Sequence, residues 1–334
     1  MLDIGRLERI RLSRYPLLQR LVGRLLLVNR EWLPGFETVV EHAERMPREP
    51  VIFAMNHTDR YNYFPFQVWL WRARNRFTAT WVKGKYYEHW FVANFMEKTN
   101  QLPTISRGYI ISKDFAAAVG RVPTDAEYEA MRRWVDAVAS GAVEDARPAP
   151  DVLPEALLAQ PRNVFGYAFD PDKQDWAGYV DSTFRSMMQR FVELNEQAAR
   201  VGLDILIFPQ GTRSRRLLPG HIGISQIALH LRLPIVPVGC NGSDGLYPGS
   251  SPWAQRGRVV YRIGEPIAYE SIPELHVRER FAPFTPDAEE KHRTKFQALA
   301  DLVTARIDAL LDEPYRLTGD AGSDATRGVD RFLA

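Results

Sequence analysis

The chain has a single cysteine, Cys240, in 334 residues. One thiol excludes an internal disulfide and any thiolate cluster for a metal, and it suits a reducing compartment. No apolar run approaches the roughly 20 residues that a bilayer-spanning helix needs. The run at residues 25–28 is too short for the apolar region of a signal peptide. A membrane met by this chain is therefore met at its surface. Charge of one sign is lacking too: 43 Lys and Arg oppose 41 Asp and Glu, a formal net charge of +2. That balance excludes the global basic field typical of nucleic-acid binders. Hydrophobic residues make up 45% and charged residues 25%, the proportions of a globular protein with a core of its own. The length suits one large domain or two ordinary ones.

The first 30 residues are arginine-rich, with leucines interleaved at spacings of three and four. That spacing predicts an amphipathic helix, or a helix pair broken near Pro16. Such a segment either lies in a headgroup layer, arginines on anionic lipid, or packs on its own domain. Apolar runs at residues 51–53, 77–82, 204–208, 234–239 and 258–264 read as strands. Helical patterns lie between them, and residues 102–111 read as strand or loop. Residues 124–140 and 181–200 read as helices, and the prolines of 147–161 as a loop. Residues 287–311 form a helix, and the Gly-, Asp- and Ser-rich end reads as disordered. Tyr128, Trp134, Tyr167, Trp176 and Tyr179 are expected to fill a subdomain core rather than to face lipid. The alternation of strand and helix argues for an α/β fold: a mixed, mostly parallel sheet flanked by helices, with an N-terminal amphipathic helix region and a helical insertion.

Two polar segments each follow an apolar strand, at the carboxyl ends where α/β sheets place ligands. They are NHTDRYN at residues 56–62 and FPQGTRS at residues 208–214. His57 is a candidate general base, because a neutral imidazole can take a proton from an alcohol at neutral pH. Taken alone, a histidine at a strand end is more often a structural hydrogen-bonder. Gly211, Thr212 and Arg213 put a flexible turn beside a permanent cation that can grip phosphate oxygens. Lys83 and Lys85 in WVKGK could add further positive charge.

In these segments the chain resembles the glycerolipid acyltransferase superfamily typified by 1-acylglycerol-3-phosphate acyltransferases. NHTDRYN looks like its histidine-x4-aspartate block, and LPTISRG, ending near Arg107, like its second block. FPQGTRS looks like the phenylalanine-proline-glutamate-glycine-threonine-arginine-serine block. LPIVPVGCNGS at residues 233–243 looks like the fourth block, and RIGEPI at 262–267 like the end of the domain. The blocks occur in the family's order, and the resemblance covers about residues 35–112 and 200–270. It implies an acyltransferase that moves a fatty acyl group from acyl-CoA or acyl carrier protein to a glycerol-phosphate-type lipid, 1-acylglycerol-3-phosphate foremost. His57 would be the base; Arg107, Gln210, Gly211, Thr212, Arg213 and Lys83 would bind substrate. A thioester is already activated, so base catalysis and positioning suffice without metal or cofactor. The implied partners are the acyl donor, a lysophospholipid acceptor and a membrane surface, with no nucleic acid. The implied location is cytoplasmic, peripheral on the cytoplasmic face of a membrane.

Domain boundaries follow: residues 1–34 as membrane-contacting helices, 35–280 as the acyltransferase domain with an insertion at about 113–199, 281–314 as a C-terminal helix, and 315–334 as a disordered tail. The chain departs from the family at two carboxylates, which here are Asn62 and Gln210. Asn62 could still hold an imidazole tautomer, but it could not stabilise an imidazolium. Asp59 could take over the role of the missing aspartate; otherwise it is a cap or an exposed loop residue. His221 stands where the family often has a basic residue. The alternatives are a non-catalytic lipid- or acyl-CoA-binding protein on the same fold, and acylation of a different acceptor lipid.

Overall fold

The computed structural model describes residues 1–32, 35–141, 147–149 and 151–319; of residues 26–32 only the backbone is described. Its elements in chain order are α1 (Ile4–Arg9), α2 (Leu17–Trp32), β1 (Phe36–Glu41), β2 (Ile52–Met55), α3 (Phe64–Arg74), β3 (Thr78–Lys83), α4 (Trp90–Lys98) and β4 (Gln101–Thr104). There follow α5 (Arg107–Val119), α6 (Asp125–Ser140), α7 (Glu155–Ala159), β5 (Arg162–Asn163), β6 (Ala168–Phe169) and α8 (Trp176–Arg200). The last are β7 (Asp204–Ile207), α9 (Gly223–Leu231), β8 (Ile235–Asn241), α10 (Ser243–Leu246), β9 (Gly257–Ile263) and α11 (Pro286–Asp308).

The main sheet has seven strands in the order β1, β9, β8, β2, β7, β3, β4. From β8 to β4 every neighbouring pair is parallel. β9 runs antiparallel to β8, and β1 parallel to β9. This is the mixed, mostly parallel sheet expected from the alternation of elements. The central strands are buried along their whole length, as both faces are covered. Ile52 and Ala54 join the core under α8, α9 and α11. Val51, Phe53 and Met55 point to the opposite face, against Phe66 and Leu70 of α3. The strand period of two splits one apolar run between two cores.

The N-terminal pair does break near Pro16, and its halves behave differently. Leu2, Leu7, Ile10 and Leu12, in and around α1, are buried in the main core. On α2, by contrast, Leu17, Leu21 and Leu25 are exposed. No described helix is long and apolar enough to cross a membrane.

Residues 102–111 do not stay extended. The strand stops at Thr104, and α5 begins at Arg107 because the Ser106 side chain caps it, accepting from the Tyr109 N–H. Capping chemistry overrides the β-like side chains of Tyr109, Ile110 and Ile111. The excursion from α5 to α8 is held around Asp114, which accepts from Arg162 Nε at 3.0 Å and Trp176 Nε1 at 2.7 Å. Trp134, Trp176 and Tyr179 are core side chains there. At the other end, Tyr315 is buried, its carbonyl accepting from Leu217 N–H at 2.8 Å, so the chain is still docked at the expected start of the tail. The rest of that expected tail, residues 320–334, lies outside the described residues.

Candidate active site

The site forms at the carboxyl edge of the parallel strands. Asn56, directly after β2, uses its side chain as one more rung of the ladder. Its Nδ2 donates to the Cys240 carbonyl at 2.9 Å and its Oδ1 accepts from Cys240 N–H at 2.7 Å. The main chain is thereby free to turn away and present His57. Ser214 N–H donates to the His57 carbonyl at 2.9 Å, tying the β2 loop to the β7 loop.

The His57 ring lies against Phe208, with centroids 4.0 Å apart and planes 16° from parallel. Its Nδ1 lies 3.0 Å from Asn62 Oδ1. His57 is half-buried. Desolvation pushes its pKa down, to about 3; the Asn62 bond opposes this, and the charges of Arg213 and Lys83 push further down. The imidazole is therefore neutral across the physiological range. Lys83 at the end of β3 and Arg213 in the β7 loop are the cations that His57 senses. The Lys85 pKa is shifted below its ordinary range chiefly by desolvation, with Glu88 opposing and Arg213, Lys113 and Arg60 adding to the fall, so several basic side chains and one acid share this mouth. Such a cluster favours an anionic ligand.

Asn62 rather than Asp59 partners the histidine. The Asp59 carboxylate accepts from Tyr61 N–H at 2.8 Å and from Thr58 Oγ1 at 2.9 Å. It closes the turn that carries Asn62 inward. Burial raises its pKa, and of the two roles open to Asp59 it takes the one within its own loop, not that of the family's aspartate beside His57. Gln210 is buried and pairs with the His57 main chain, its Oε1 3.4 Å from His57 N, while its Nε2 donates to Thr212 O at 2.9 Å. Gly211 has φ +66°, and a Cβ there would stand 2.9 Å from His221 Cδ2, so the turn needs glycine on both counts. His221 thus lines the β7 loop just before α9.

Arg107 is engaged elsewhere. Its guanidinium contacts Asp181 at 3.3 Å and lies 4.4 Å over the Phe184 ring, both on α8. Among the described residues Arg213 has no carboxylate partner. The residues missed by sequence reasoning are Phe208, the stacking wall, and Tyr261, whose hydroxyl donates to the Asn62 carbonyl at 2.5 Å. Phe208 sat inside the quoted FPQGTRS segment, whereas nothing local marks Tyr261. Among the described residues no group of His, Cys, Asp and Glu could hold a metal ion.

A family model described as Acyltransferase matches residues 172–241. The match spans α8 to β8, so it includes FPQGTRS and also the helix that the sequence reading assigns to the insertion. A 1-acyl-sn-glycerol-3-phosphate acyltransferase of Cocos nucifera is 35% identical over 77 residues, 22% of this chain and 25% of the relative. The chain thus spans about a quarter of the length of that curated relative. The solved 1-acyl-sn-glycerophosphate acyltransferase of Thermotoga maritima aligns with a TM-score of 0.39 at 15% identity, covering 86% of this chain and 80% of that one.

Proposed function

We propose, from the premise that this chain belongs to the glycerolipid acyltransferase superfamily, that it transfers a fatty acyl group from a phosphopantetheine thioester, acyl-CoA or acyl carrier protein, to the hydroxyl of a lysophospholipid such as 1-acylglycerol-3-phosphate. The observation that carries this reading is the His57 ring, held at Nδ1 by Asn62 with Arg213 and Lys83 beside it.

In the step, the acceptor hydroxyl oxygen attacks the thioester carbonyl carbon while His57 Nε2 takes the hydroxyl proton. The tetrahedral intermediate collapses, the C–S bond breaks, and the leaving thiolate takes the proton back from the ring. The products are an ester and a free thiol, and the histidine ends neutral. Arg213 and Lys83 would hold the phosphate, with Gly211 and Thr212 shaping the turn. A phosphate placed between those cations cancels two of the influences that lower the His57 pKa. The offset is partial, because desolvation is the largest influence on the ring and a bound substrate leaves it in place. Arg107, expected from the resemblance to hold phosphate, is instead assigned to anchoring α8.

An apolar slot lined by Tyr63, Phe64, Val68, Trp71, Phe95 and Met96 opens between α2, α3 and α4, beginning at residues that follow the His57 loop. It suits the acyl chain. Exposed Leu17, Leu21 and Leu25, with the exposed Trp90 and Phe91 of the neighbouring α4, suit contact with the cytoplasmic face of a membrane.

The second reading, a non-catalytic lipid- or acyl-CoA-binding protein, draws on the low proton affinity of His57. Thiol release from long-chain acyl-CoA, with and without lysophosphatidic acid and beside His57→Ala, separates the two. Acceptor-dependent release lost in the variant supports the transferase. Acyl-CoA binding without release supports the binding protein.

A further inference from the structure

Asn62 and Gln210 stand where the related family carries carboxylates, and the surroundings of each call for an amide. Asn62 is completely buried. Its Nδ2 donates to the Asn56 carbonyl at 2.7 Å. That contact decides which end of the amide is which, so Oδ1 faces His57 Nδ1 at 3.0 Å. An amide oxygen only accepts, so the ring must supply the proton. Nε2 is left with its lone pair, the form a base needs. Gln210 is arranged in the same way. Its Nε2 donates to the Thr212 carbonyl at 2.9 Å and reaches toward the His57 carbonyl at 3.5 Å, and its Oε1 faces His57 N–H at 3.4 Å. In both places a carbonyl oxygen sits where a carboxylate would bring a second oxygen with no proton between them. Such opposed acceptors repel, and burial leaves the repulsion unscreened.

We propose that Asn62 and Gln210 are positioning residues whose amide donors this site requires, so that the family's acidic residues would impair it rather than restore it. Asn62 fixes the His57 tautomer. Gln210 fixes the His57 main chain against the β7 loop. The effect on rate rests on the acyl-transfer reading; the effect on the tautomer does not.

The test is ¹⁵N NMR of histidine-labelled full-length protein near neutral pH, with His57 identified among the seven histidines by the signal missing in His57→Gln. The expected result is a ring protonated at Nδ1 and bare at Nε2. A native ring protonated at Nε2, or at both nitrogens, overturns the proposal whether or not any variant folds. Asn62→Asp and Gln210→Glu are each expected to slow acyl transfer at least about tenfold, a factor that an opposed buried hydrogen bond commonly costs. An acid at position 62 would face the His57 ring, the Asn56 carbonyl and the Met55 sulfur, while the Cys240 thiol and the Tyr261 hydroxyl reach only the main-chain carbonyl of that residue. Only its protonated form could donate to Asn56, so the melting temperature of Asn62→Asp should fall further below the native value as pH rises. Equal or faster transfer by Asn62→Asp with an unchanged tautomer also overturns the proposal. A protein that releases no thiol removes the transferase reading, and the inference then stands or falls on the melting curves: an Asn62→Asp melting temperature that keeps pace with the native value as pH rises overturns it.

Discussion

Phe208 covers one face of His57, its ring 4.0 Å from the imidazole between centroids. That face is closed to water, and desolvation is the largest influence lowering the histidine's pKa. Phe208→Ala should admit water and move the His57 pKa upward toward its ordinary value near 6.5. Titration of the His57 ring signal by NMR reads this directly; an unmoved midpoint would remove Phe208 from the account.

Acid stability follows from the same shift. The unfolded chain binds a proton at His57 below about 6.5, while the folded chain refuses it until a pKa of about 3. Between those values the unfolded state holds more protons, so stability rises with pH and falls on acidification. Melting curves of native protein and His57→Ala across this window should converge toward low pH. Parallel curves would mean the ring titrates normally. The same substitution should lower acyl transfer at neutral pH by at least about 10²-fold, the usual contribution of a general base.

Much of this site was legible in the sequence, and what was not has identifiable physical causes. The strand ends carrying His57 and Arg213 followed from apolar runs bounded by polar turns. β1 did not, because FETVVE at residues 36–41 alternates too weakly to read as a strand. Which of Asp59 and Asn62 would meet His57 depended on the turn closed by the Tyr61 N–H, a contact that spacing alone cannot choose. Arg107 was assigned to phosphate by the family resemblance alone, and its partners Asp181 and Phe184, more than 70 residues away in sequence, left no local sign against it. Asp59→Asn keeps an acceptor for Tyr61 and should retain most activity; a loss comparable to that of His57→Ala would reinstate Asp59 in the chemistry.

Arg213 and Arg107 should therefore separate in kinetics. Arg213→Ala should raise KM for a phosphate-bearing substrate roughly 10- to 100-fold, the range for losing a charged hydrogen bond. Arg107→Ala should chiefly lower the melting temperature, since it unties α5 from Asp181 and Phe184 of α8. Steady-state kinetics with thermal melts of both variants check the division. A KM effect at Arg107 equal to that at Arg213 would put both cations on the substrate.

Membrane contact is best tested by point changes, because removing the N-terminus would also strip Leu2, Leu7, Ile10 and Leu12 from the core. Leu17, Leu21 and Leu25 are exposed on α2, and Arg14 and Arg24 nearby are exposed as well. Trp90 and Phe91 are 74% and 75% exposed at the start of α4, more than an aromatic pair serving only its own fold would be. Apolar side chains beneath a bilayer surface with arginines on anionic headgroups would use both sets. Replacing the three leucines by serine, or Trp90 and Phe91 by alanine, should weaken co-sedimentation with anionic phospholipid vesicles. Binding by the native chain should fall with added salt, as the arginine contribution is screened. Thiol release from a short-chain, water-soluble thioester should be little changed, since neither set lines the slot or touches His57. Vesicle binding undiminished in both variants would place the contact on another surface.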